Sequence, residues 1–135
     1  MNRKAMIAAL LVVGAFGTSM AFGKDVKVTL SGQNEVPPVT TSASGEGTIS
    51  IADDGSVSGS VTTKGIQSTA AHIHTGAAGT NGPVIVPFTK EGDTYKAPAG
   101  AKLNADQMKA FQAGELYFNV HSAANPGGEI RGQLK

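Results

Sequence analysis

Residues 115–121 read Glu115-Leu116-Tyr117-Phe118-Asn119-Val120-His121, and this stretch decides the fold. Successive side chains of a β-strand point to opposite faces. Leu116, Phe118 and Val120 therefore share one face, and Tyr117, Asn119 and His121 share the other. Burying each of the three apolar side chains is worth about 1.5–3 kcal/mol. The core claims their face, and His121 points away from it.

The same alternation continues outward. Asn125-Pro126-Gly127-Gly128 is a strong turn, and Glu129 to Leu134 closes the chain as a strand, with Ile130 and Leu134 opposite Glu129, Arg131 and Gln133. Upstream, Asn104 can cap a short helix, Gln107 stands in capping-box position, and Gly114 can end it. Further strands read as Val26 to Leu30, Ala70 to Thr75 and Val84 to Phe88. Gly47 to Ala52 and Val57 to Thr63 form a hairpin turned by Asp53-Asp54-Gly55, where Gly supplies the positive φ of a tight turn. Gln33 to Ser44, with Pro37-Pro38, is an extended loop or edge segment. Glu91-Gly92-Asp93 marks another turn. The expected fold is all-β: a Greek-key-like antiparallel sandwich or barrel with one short helix near 104–113.

The chain has three histidines and no cysteine. His72 and His74 flank Ile73, so they share a face, and Ile73 sends that face away from the core by the parity that places His121. If the two strands are neighbours, the three imidazoles can converge. Gly76 to Pro83 and Ser122 to Gly128 follow the histidine strands directly, and either loop can fold back as a roof. Three neutral imidazoles without thiolate suit copper, with zinc as the alternative, and leave one coordination position open. Glu129, Asn119, Arg131 and Tyr117 are the candidate supporting groups, and Glu129 can also act as an oxygen ligand. The competing reading has the histidines hydrogen-bonded to backbone carbonyls, knitting loops to the sheet.

The first residues read as an export signal. Arg3 and Lys4 precede the apolar run Met6 to Phe16, followed by Ser19-Met20-Ala21. That run is shorter than the ~20 residues a bilayer span needs. A signal peptide over 1–23 and one β-domain over 24–135 follow, with a periplasmic or secreted location and no retained membrane anchor. The formal charge is +1, from eleven basic and ten acidic residues. Loss of Arg3 and Lys4 leaves nine basic residues against ten, a net charge of −1. Neither balance makes a footprint for nucleic acid. Without cysteine there is no disulfide framework.

Other motifs are weak. Ser122 and His121 face opposite ways, which removes a nucleophile–base pair. Asp53-Asp54 lacks the spacing of a calcium loop. Gly76 to Gly79 lacks the Lys-Ser or Lys-Thr of a phosphate loop. Tyr117 reads as a packed or hydrogen-bonded surface tyrosine. No catalytic residue is assigned.

Three blocks carry a family likeness. Ala71-His72-Ile73-His74-Thr75-Gly76 through Val86 resembles the first half of the CHRD domain, named from the animal protein chordin. Gly114-Glu115-Leu116 through Leu134 resembles its second half, and Leu30-Ser31-Gly32-Gln33-Asn34-Glu35-Val36-Pro37-Pro38 its opening. The resemblance implies a compact exported β-domain and assigns no reaction. A looser likeness is to copper–zinc superoxide dismutase, which also sets a His-x-His pair and a later histidine on a β-sandwich. This chain lacks the bridging fourth histidine and the cysteine pair, which excludes a complete dinuclear site and leaves a mononuclear copper site. Three functions are therefore expected in order. The first is an exported metal-binding domain for copper storage, delivery or tolerance. The second is a non-catalytic domain that binds a protein partner or self-associates. The third is a dismutase-like copper oxidoreductase.

Overall fold

A computed structural model of the chain describes residues 23–135. The export signal expected over 1–23 lies, except for Gly23, outside the described residues. The strands are β1 (Lys24–Leu30), β2 (Ser44–Ile51), β3 (Val57–Lys64), β4 (Ser68–Thr75), β5 (Val84–Pro87), β6 (Thr89–Glu91), β7 (Thr94–Lys96), β8 (Leu116–Ser122) and β9 (Ile130–Gln133), with one helix, α1 (Ala105–Gln112). They form two antiparallel sheets, in the orders β1-β2-β3-β7-β6 and β5-β4-β8-β9. This is the expected all-β sandwich. β4 pairs with β8 across everything between them in the sequence, and the register sets Ile73 against Phe118 and His72 against Asn119.

The core lies between the sheets, where alternation put it. One sheet contributes Val26, Val28, Leu30, Ile49, Ile51, Val57 and Val61, and the other Ala71, Ile73, Leu116, Phe118, Val120 and Ile130. Phe88 meets Phe118 edge to face, with ring centroids 4.9 Å apart. At one corner the sheets are tied directly, by Ser31 N–H to Arg131 O at 3.1 Å and Arg131 N–H to Ser31 O at 3.0 Å. Gly132 permits that approach, since a Cβ there would strike the Thr29 carbonyl.

Local signals are realised at the helix and the first hairpin. Gln107 N–H donates to Asn104 Oδ1 at 2.8 Å, and Asn104 N–H donates to Gln107 Oε1 at 2.9 Å. Gly55 turns the β2–β3 hairpin at φ +92°. The β6–β7 hairpin is an addition to the expected elements. Only its turn was legible, because a three-residue strand shows no alternation to read. Its Tyr95 is fully buried, with its hydroxyl donating to Ser68 Oγ at 2.8 Å.

Phe118→Ala removes the central ring of this core and is expected to cost about 3–5 kcal/mol in urea unfolding. Tyr95→Phe removes one hydrogen bond and no packing, and is expected to cost about 1 kcal/mol.

Candidate metal centre

β8 and β9 leave a second buried layer on the side of their sheet away from the apolar core. His74 is 6% exposed, Tyr117 2%, Asn119 2% and Arg131 1%. The backbone explains the placement: these side chains have the parity opposite to Ile73, Phe118 and Ile130. Three loops cover the layer. The two that follow β4 and β8 are those expected as roofs. The third, 31–43, brings in Glu35, which is 4% exposed. Asn81 Nδ2 donates to Val36 O at 2.8 Å and joins two of the loops. Tyr117, read from sequence as a surface side chain, is instead buried beneath this cover.

The three histidines meet. One ring nitrogen from each lies within 4.8 Å of the other two. Two of the rings are oriented by loop carbonyls: His74 Nδ1 to Gly82 O at 2.9 Å, and His121 Nδ1 to Pro126 O at 2.8 Å. A carbonyl only accepts, so Nδ1 carries the proton in both rings and Nε2 is left with a lone pair. His72 Nδ1 lies 3.1 Å from His121 Nε2 and is the donor of that contact. His74 Nε2 is buried and has no hydrogen-bond partner among the described residues.

This donor set fits a metal ion. Bonds of about 2.0–2.1 Å set neighbouring ligands of a tetrahedral ion roughly 3.4 Å apart. His72 Nδ1 and His121 Nε2 already stand 3.1 Å apart, a spacing an ion can take over once the His72 proton moves to Nε2, and no pair in the cluster needs a contraction of more than about 1.4 Å. Two of the rings, His72 and His74, are also kept neutral. Burial lowers the pKa of His72 to about 4, helped by repulsion from His121 and His74. Burial likewise lowers His74, against the opposing effect of its Gly82 hydrogen bond. A neutral imidazole is the form that ligates.

The candidate supporting groups take different places. Tyr117 stacks on His74, with centroids 4.7 Å apart and planes 4° from parallel. The Arg131 guanidinium lies over the Tyr117 ring, 3.4 Å from its centroid. It also donates to Ala77 O at 3.0 Å and Asn81 Oδ1 at 3.3 Å. Glu129 accepts from Ser122 Oγ at 2.7 Å, Thr41 Oγ1 at 2.8 Å and Asn125 Nδ2 at 3.3 Å. These bonds, that from Ser122 first, hold its pKa below the usual value. No imidazole is among its hydrogen-bond partners. Asn119 Nδ2 reaches Gly127 O at 3.4 Å and both oxygens of Glu35 at 3.5 Å. Asn119 Oδ1 is buried and unpartnered among the described residues. Asn119 also raises the His74 pKa, against the effect of burial, although no hydrogen bond joins the two side chains.

Glu35 is the residue that sequence reasoning missed. It sits in a loop with no periodicity, and the signal available was its place in the opening block Asn34-Glu35-Val36-Pro37-Pro38. Burial raises its pKa to about 7, against the opposing effects of Asn119 and Arg131. The folded state thus holds the Glu35 proton more tightly than the unfolded chain, where it titrates near 4.5. Its stabilising contribution is full below that lower value and is lost as pH rises through about 7. His72 runs the other way, losing its contribution as pH falls from 6.5 toward about 4. Glu35→Gln keeps the shape and has no proton to lose. Without metal, it is expected to gain on wild type as pH rises, by up to about 3 kcal/mol above pH 7. Urea unfolding of both proteins across that range checks this. A stability difference independent of pH contradicts it.

The family model described as the CHRD domain matches residues 26–134. No curated protein and no solved structure shows significant similarity to the chain. The match takes in both histidine blocks and every described strand except the first two residues of β1, so the chain belongs to the CHRD domain family.

Proposed function

We propose that this CHRD domain is exported and binds one copper ion through His72, His74 and His121, in copper storage, delivery or tolerance. The observation that carries the reading is the buried, unpartnered Nε2 of His74, in a cluster with one nitrogen from each of the other two histidines. A buried acceptor without a donor is costly, and a cation there removes the cost. Copper is chosen over zinc because the affinity order favours it at nitrogen donors, and there is no thiolate to alter that order. Bound copper would supply a one-electron couple with a coordination position open to a further donor. The chain's own part is to hold two imidazoles in the ligating tautomer through Gly82 O and Pro126 O, and to fix the His74 plane against Tyr117.

A second reading draws on those same carbonyl bonds. In it the histidines only knit loops to the sheet, and the outer face serves a protein partner or self-association. The two readings separate on metal. Copper(II) titration followed by visible absorption and electron spin resonance is expected to saturate at one equivalent with a nitrogen-rich spectrum. The His72→Ala/His74→Ala variant is expected to lose at least about a hundredfold in affinity. Unchanged affinity in that variant removes the assignment. Sedimentation that is the same with and without copper, with no stoichiometric uptake, favours the second reading.

A further inference from the structure

We propose that Glu35 sets the charge of the histidine site, acting through Asn119 to make it select divalent over monovalent cations. The inference rests on the reading of the three histidines as ion ligands, and it adds the class of ion they take.

Three neutral imidazoles supply lone pairs and no charge. Arg131, whose charge acts on His74, is buried and opposes any incoming positive ion. Two carboxylates border the layer, and they differ in what they are doing. Glu129 is saturated by three neutral donors at 2.7 to 3.3 Å. Among the described residues, the Glu35 carboxylate has as hydrogen bonds only the two 3.5 Å contacts with Asn119 Nδ2. The field of Arg131 offsets the burial of so poorly bonded a carboxylate only in part, and an ion among the imidazoles would supply a further counterpart. Asn119 is the link. It stands opposite His72 in the β4–β8 register, with its amide nitrogen toward Glu35 and its unpartnered oxygen buried in the same layer.

The backbone is shaped to keep this pair together. Gly128 crosses directly over it at φ +124°, and a Cβ there would collide with both Asn119 Nδ2 and Glu35 Oε2. Glu35 is therefore a positioning and charge-setting residue rather than a ligand. It does not belong to the cluster of converging ligand atoms.

Coulomb attraction scales with the charge of the ion, whereas damage to geometry does not. Glu35→Gln keeps the hydrogen-bond acceptor toward Asn119 and removes the charge. Its affinity for zinc(II) is expected to fall by about ten- to a hundredfold. Its affinity for silver(I), a monovalent ion, is expected to fall by about the square root of that factor. Glu35→Asp restores the charge and is expected to recover the preference. Calorimetric titration of the chain with each ion reads all three. Equal losses for the two ions, or no loss for either, overturn the proposal. Should Glu35→Gln not fold, the carboxyl carbon-13 signal of Glu35 in the wild-type chain decides. Measured at a pH below its own titration midpoint in the metal-free chain, it is expected to move to the ionised position on zinc loading, and a signal unmoved there overturns the proposal. Wild-type protein that takes up no divalent ion fails on the proposed function itself, which is a separate result.

Discussion

β8 is buried on both faces, and the rest of the molecule answers to that constraint. A half-buried strand needs partners for one set of side chains only. Here Leu116, Phe118 and Val120 enter an apolar core, while Tyr117 and Asn119 enter a polar one. Apolar side chains ask only for volume. Polar ones ask for a partner at every donor and acceptor, and each one missed costs about 1–3 kcal/mol. The loops over the outer face serve that need. They supply the carbonyls of Gly76, Ala77, Gly82, Pro126 and Gly127, which receive Gln133, Arg131, His74, His121 and Asn119. Loops rich in glycine can turn their carbonyls inward and approach closely. Gly82 shows the limit, because a Cβ there would strike the Thr75 carbonyl. After this accounting two side-chain atoms stay unpartnered among the described residues, His74 Nε2 and Asn119 Oδ1, and both belong to the histidine layer.

The charges of the layer pull against one another. Arg131 is fixed by the Tyr117 face and by oxygen acceptors, none of them a carboxylate. Its field disfavours protonated His74. Glu35 carries the opposite sign and is unfavourable there alone, as its raised pKa records. A fold optimised only for stability would replace such a carboxylate with a neutral side chain. On the proposed reading, a carboxylate buried under three loops trades stability for binding. The same residue would then cost stability without an ion and favour the ion when one arrives.

Much of this was legible in the sequence because parity is a local rule. Ile73 and Phe118 each declare a face, and three histidines follow by counting. The convergence needed one more fact, the β4–β8 pairing, which spans some forty residues of intervening chain and leaves no local mark. The two roof loops were visible as glycine-rich segments adjoining the histidine strands. The 33–44 segment is legible only as an extended loop or edge, and neither its place over the layer nor the part of Glu35 is, because the contact between Glu35 and Asn119 is tertiary and joins positions far apart in the chain. The β6–β7 strands were missed for a different reason. Tyr95 is a single apolar residue between two polar ones, and one residue has no period. Tyr117 was placed at the surface because parity says which side a residue faces and nothing about what covers that side.

Hydrogen bonding to carbonyls and binding of an ion, set out as rivals at the level of sequence, are compatible at the level of atoms. An imidazole has two nitrogens. A carbonyl that takes the proton of one obliges the other to present a lone pair. Gly82 O and Pro126 O do this for His74 and His121, and the same bonds fix the ring planes. A structural role alone would be met by any arrangement that satisfied Nδ1, with Nε2 turned to solvent or to a donor. Here the nitrogens are turned inward toward one another, with His74 Nε2 buried and unpartnered. Burial lowers the pKa of His72 and His74, which removes the proton as a competitor for their nitrogens. The loops thus do for the site what stiff ligands do in a chelator. On the proposed reading they meet the cost of orientation during folding, and an ion would meet His74 and His121 with their ring planes already fixed.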